Sequence, residues 1–120
     1  MTDVVVLERD LFFATKIRAT LQAAGRGCVV VKSADDLAAR VAQEPAPALV
    51  LVHYGAAGVD WARGITLARA TGVPVLAYGA HVDIAAQSQA RAAGATRVIA
   101  NSKLAGDLLS QIDRTIGQIT

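Results

Sequence analysis

Cysteine, aromatic residues and long apolar runs are all scarce in this chain, and each scarcity closes off a class of protein. The single cysteine, Cys28, leaves no internal disulfide, so the fold is held without cross-links and suits a reducing compartment. One Trp, two Tyr and two Phe in 120 residues mean that the core is built from Ala, Val, Leu and Ile, which dominate a 53% apolar composition. No apolar run approaches the roughly 18 residues of a membrane-spanning helix. Charge is sparse too: 18% of residues, a net +2, with the basic groups scattered. So small an excess argues against nucleic acid and membrane surfaces as partners. The opening "MTDVVVLERD" sets Asp3 and Glu8 around its apolar run and has no basic leader, which is not the pattern of a signal peptide. The expected location is the cytoplasm.

What is present is a rhythm. Five valine-rich runs, "DVVVL" 3–7, "CVVVK" 28–32, "ALVLV" 48–52, "VPVLAY" 73–78 and "RVIA" 97–100, lack polar alternation, as parallel strands covered on both faces do. Helical stretches separate them. Phe13, Ile17 and Leu21 recur at i, i+4, i+8, with Gly25 or Gly27 as a stop. Ser33 with Asp36 resembles a capping box, opening a helix that buries Leu37 and Val41 and ends before Pro45. Asp60 caps a third helix carrying Trp61, Ile65 and Leu67, closed by Gly72, and Asp83 caps an Ala-rich fourth. Ser102 is expected to cap a fifth, with Leu104, Leu108, Ile112 and Ile116 on one stripe.

Strand and helix thus alternate five times, the pattern of an α/β fold with an open, doubly wound parallel sheet. Ligands of such folds bind at the carboxyl ends of the strands. That directs attention to Glu8–Asp10, His53–Tyr54, Gly79–His81 and Asn101–Ser102. With no linker, repeat or low-complexity segment, residues 1–120 are expected to form a single domain with no output domain attached.

The layout resembles the receiver domain of two-component response regulators, the CheY-like family. The resemblance covers the whole chain and rests on small signposts in order: "ERD" 8–10 after the first strand, Pro47 before the third, Gly58 and Asp60 in the loop after it, Pro74 opening the fourth, and "GA" 94–95 before the fifth. It implies a (βα)5, flavodoxin-like five-stranded sheet with strand order 2-1-3-4-5. It also implies five working positions. Two acidic residues after strand one help hold Mg²⁺. An aspartate ending strand three accepts a phosphoryl group, and a Thr or Ser and a Lys after strands four and five stabilise its charge.

Those positions fall here on Glu8 and Arg9, His53, Gly79 and Asn101, with Asp10 nearby as a possible second carboxylate. Only Glu8 keeps its chemical type. An arginine about 4 Å from a divalent ion is repelled by roughly 8 kcal/mol at an effective dielectric of ~20. Asn101 carries no charge to draw a phosphoryl group in, and Gly79 has no hydroxyl to follow one. The aromatic switch of the family's fifth strand is Val98. Mg²⁺-dependent aspartyl phosphorylation and its readout through Gly79 and Val98 are therefore expected to be lost, with no metal or other cofactor required.

Three readings stay open for His53: a structural residue bonded to Glu8 or to backbone, a pH-sensitive or ligand-binding group, and a metal ligand with His81. Tyr54 and Tyr78, at strand ends, are expected to pack, the alternatives being to cover the pocket or to bind a partner. Cys28 opens a strand as a core residue, with no charge visible nearby to activate it. "GRGC" 25–28 follows a helix and reads as a turn, since a phosphate loop follows a strand. No nucleophile–base pair stands at recognisable spacing, so no enzyme is expected. The leading reading is a phosphorylation-independent pseudo-receiver, a protein-interaction module of bacterial signal transduction. The resemblance places its partner face, for another protein or a second copy, on helix four, strand five and helix five, with Ile84, Ser88, Arg91, Arg97, Lys103 and Asp107. The alternative is a small-ligand or pH sensor using a pocket of Glu8, Arg9, Asp10, His53, Tyr54, Gly79 and Asn101.

Overall fold

A computed structural model describes residues 3–117. Five strands, β1 (Val4–Leu7), β2 (Cys28–Val31), β3 (Leu49–His53), β4 (Val75–Gly79) and β5 (Arg97–Ala100), form one parallel sheet in the order β2-β1-β3-β4-β5. This is the expected α/β architecture and strand order. Successive residues of a strand face opposite sides, and the valine runs exploit both. Val4, Val6, Leu49, Leu51, Leu76 and Tyr78 pack on one side against α1 (Leu11–Ala23), α5 (Asn101–Gly106) and α6 (Leu108–Gly117). Val5, Leu7, Val50, Val52, Val75 and Ala77 pack on the other against α2 (Ala34–Val41), α3 (Trp61–Ala70) and α4 (Ile84–Ala93). Each fully buried Val or Leu contributes about 1.5–3 kcal/mol, so two aliphatic layers replace the missing aromatics and cross-links.

The helix starts are set by short polar side chains. Ser33 accepts from the Asp36 N–H, Asp60 from Arg63 and Asp83 from Ala86, as expected. Asp10 does the same for α1, accepting from the N–H groups of Phe12 and Phe13. The third helix buries Trp61, Ile65 and Ala68, with Leu67 only partly covered. The fifth helix departs from expectation. It starts at Asn101 with no side-chain cap, so Ser102 is not its cap, and it breaks at Asp107 into α5 and α6. Leu104, Leu108 and Ile112 stay buried across the break, because spacing by four keeps them on one stripe whether or not the hydrogen-bond ladder is continuous.

Candidate functional site

Sheet register brings the chemistry together. Leu7 pairs with Val52, His53 with Tyr78, and Gly79 with Ala100, so Glu8, His53, Gly79 and Asn101 meet at the carboxyl edge of the central strands. Glu8 is 2% exposed and is the only buried acidic side chain among the described residues. Three donors surround it. The Tyr78 hydroxyl donates to Oε1 at 3.0 Å, while His53 Nδ1 at 3.0 Å and the Asp10 N–H at 3.2 Å bond Oε2. A carboxylate only accepts, so the network assigns a proton to Nδ1, and in the neutral ring Nε2 is an acceptor. The imidazole lies parallel to the Tyr78 ring, centroids 5.4 Å apart and planes 5° apart, and Phe13 packs on the same tyrosine at 5.5 Å. Burial, reinforced by the adjacent Glu8 carboxylate, pushes the Tyr78 phenol well above its ordinary pKa.

A small pocket of about 140 Å³ opens beside this network, lined by Glu8, Asp10, Phe13, His53 and Asn101. Four of its residues belong to the set anticipated from sequence; the others go elsewhere. Arg9 is exposed and forms none of the ion pairs among the described residues. Its guanidinium lies against Gly58, 3.0 Å from where a Cβ would stand, and Gly58 has φ of +74° that favours glycine. Tyr54 leaves β3 on the opposite side from His53. It is buried, its hydroxyl donates to the Ala80 carbonyl at 2.8 Å, and burial raises its pKa. Its ring covers Gly79 so closely that a Cβ there would meet Cε1 at 2.5 Å. Gly79 therefore lacks a hydroxyl and also lacks room for one. Val98 is half-buried against the α2–α4 layer.

His81 is exposed, and no group of three or more His, Cys, Asp or Glu side chains placed to hold a metal ion occurs among the described residues. Both Glu8 oxygens are already bonded, and Asp10 spends Oδ1 on two backbone donors. Cys28 is half-buried, and a charge does stand beside it: burial raises its pKa while Arg18 opposes the rise. On the anticipated partner face, Arg97 is tied to the Gln111 carbonyl and Thr115 hydroxyl, and Asp107 accepts from Gln111 Nε2. Ile84 is 65% exposed, and Ser88, Arg91 and Lys103 are exposed. Sequence reasoning gave Tyr78 no hydrogen-bonding role and left Phe13 out of the pocket. Tyr78 is His53's register partner on β4, and paired residues of neighbouring strands share a face.

No family model matches the sequence, and comparison with curated proteins finds no match. Solved structures are similar throughout. NtrX from Brucella abortus matches with a TM-score of 0.83 and 19% identity over 99% of this chain, which spans 28% of that one. The receiver domain of NtrX from the same organism matches with 0.82 and 19%, covering 96% of this chain and 98% of that domain. The CheY-like response regulator receiver domain protein from Methanospirillum hungatei JF-1 gives 0.83 and 14%, covering 99% and 96%. The fold is that of a response-regulator receiver domain. Within it, the end of β3 carries an imidazole bonded to Glu8, and the end of β4 is roofed by Tyr54. No helix among the described residues is long and apolar enough to cross a membrane.

Proposed function

We propose that this receiver-fold chain works without Mg²⁺-dependent aspartyl phosphorylation, as a protein-interaction module of cytoplasmic signalling in bacteria. The observation that carries the reading is the Glu8–His53–Tyr78 network. The one acid that corresponds to a metal-binding position is buried and bonded to three donors, and the acceptor position holds an imidazole that is one of them. The Tyr54 ring over Gly79 supports the same conclusion, because a phosphoryl-following hydroxyl has no space there. In this reading the chain is no enzyme and needs no cofactor. Its partner, a protein or a second copy, docks on the α4–β5–α5 side, where Val82 and Ile84 are 74% and 65% exposed beside Ser88 and Arg91.

The test is amide NMR with Mg²⁺, then with Mg²⁺ plus beryllofluoride as an acyl-phosphate mimic. The expected spectra are unchanged around residues 8–10, 53, 79 and 101; saturable shifts there would overturn the proposal. For the surface, Ile84→Glu and Arg91→Glu are expected to abolish partner capture or self-association, and unaltered binding would move the interface elsewhere. A second reading, a sensor built on the pocket, is favoured by one observation: His53 keeps an exposed edge there, with 28% of its side chain accessible.

A further inference from the structure

The pocket beside His53 has a lining of one chemical character. Asp10 uses Oδ1 for both α1 N–H groups and has no hydrogen bond to Oδ2. His53 makes its one side-chain hydrogen bond among the described residues through Nδ1, so in the neutral ring Nε2 presents a lone pair to the pocket. The Asn101 side chain has no hydrogen-bond partner among the described residues, and Phe13 adds an aromatic wall. No lysine or arginine lines the space. Of the basic side chains near this end of the sheet, Arg9 lies on Gly58, Lys16 sits 4.9 Å over the Phe12 ring, Arg63 pairs with Asp35, and Lys32 and Lys103 are exposed. The Asp10 carboxylate, the Asn101 amide oxygen, the ring face and the neutral imidazole accept N–H donors, and the full charge of the carboxylate outweighs the half positive charge of the α1 N-terminus. Mg²⁺ suits it poorly, since Mg²⁺ takes hard oxygen ligands and both Glu8 oxygens already accept hydrogen bonds, with an imidazole in place of a second carboxylate.

We infer that this pocket binds a compact organic cation, a guanidinium or primary ammonium head group. Several donors radiating from one charge match acceptors on several sides, and a planar guanidinium also stacks on an aromatic wall. About 140 Å³ is room for such a head group. The inference rests on the reading that this end of the sheet no longer takes Mg²⁺ and a phosphoryl group.

The test is amide NMR titration of the 120-residue chain at pH 8 and constant ionic strength. Ethylguanidinium, inorganic phosphate and Mg²⁺ are added separately. Ethylguanidinium is expected to shift residues 10, 53 and 101 saturably, and phosphate is not. Asp10→Asn keeps an equally good helix cap and removes the charge; it is expected to weaken binding about threefold. Asn101→Ala, at the opposite wall, is expected to weaken it as well. No saturation, preference for phosphate, or unchanged affinity in both variants would overturn the inference. A response to Mg²⁺ with beryllofluoride would instead sink the underlying reading, so the two failures are separable. A peptide presenting Arg between apolar residues distinguishes the source of the head group. Tenfold tighter binding than ethylguanidinium assigns it to a protein partner's side chain, and equal binding assigns it to a free small molecule.

Discussion

His53 and Tyr54 are adjacent at the end of β3, yet they leave the sheet on opposite sides and solve different problems. On the α1 side, His53 joins Tyr78 in satisfying a buried carboxylate, and the gain comes from donors meeting Glu8. On the α4 side, Tyr54 fills volume: its ring roofs Gly79, packs 6.4 Å from Trp61, and uses one neutral hydrogen bond to close the lid. One side is held by polar complementarity and the other by shape. Perturbing each in the way that hurts it most separates the two.

The largest effect is expected from Gly79→Thr. Gly79 does not have a positive φ, so backbone strain plays no part and the whole obstacle is the Tyr54 ring at 2.5–2.8 Å from the added Cβ. Overpacking of this kind costs about 2–3 kcal/mol, read as a lower midpoint in urea unfolding. Combining it with Tyr54→Ala, which empties the space, is expected to give a coupling of at least about 1 kcal/mol in a double-mutant cycle. Simple additivity would mean that the ring is not what excludes a side chain here.

Next comes Tyr78→Phe, which leaves the packing of the ring intact and removes a donor from the buried Glu8 carboxylate. A hydrogen bond to a charged group contributes about 1.5–3 kcal/mol, so a loss near 2 kcal/mol at neutral pH is expected. The pH dependence carries a second signature. Below the ordinary tyrosine value of about 10, folded and unfolded chains both hold the phenol proton. Above it the unfolded chain releases the proton while the folded chain, with its pKa raised, keeps it. The unfolded state then binds fewer protons, so stability falls as pH rises beyond about 10. Wild-type unfolding curves at pH 9, 10 and 11 are expected to show this fall, and Tyr78→Phe to make it shallower, the remainder coming from Tyr54 and Cys28, whose pKa values are raised as well. Parallel curves for the two proteins would place the alkaline sensitivity elsewhere.

Much of the fold was legible because the valine runs, the turn glycines and the caps at Ser33, Asp60 and Asp83 all point the same way. The site was legible in position and less so in role. Asp10 reads as a ligand because it follows Glu8 closely, and the same closeness puts it one residue before α1, where it is spent as a cap. Arg9 reads as a pocket residue, but a long side chain has rotamers enough to lie across Gly58 instead. Tyr54 reads as a pocket residue beside His53, yet alternation sends neighbours to opposite faces, and that signal is present in the sequence. The break before α6 was not, since Leu104, Leu108 and Ile112 keep helical spacing through it.

Tyr54→Phe is the smallest and sharpest probe of the contrast. It removes the hydroxyl that donates to the Ala80 carbonyl and keeps the ring that covers Gly79. The partner is a neutral carbonyl at the start of the β4–α4 loop, where Gln87 Nε2 also reaches the same oxygen at 3.3 Å. The carbonyl therefore keeps a donor, and the cost is expected to be about 0.5–1 kcal/mol, half or less of that for Tyr78→Phe. The two substitutions delete the same atom type from buried tyrosines one strand apart. Equal costs in urea unfolding would mean that charge on Glu8 adds nothing to the α1 side, and the division into a polar side and a packed side would fall. A Tyr54→Phe cost above that of Tyr78→Phe would reverse it, making the lid over Gly79 the polar anchor of this end of the sheet.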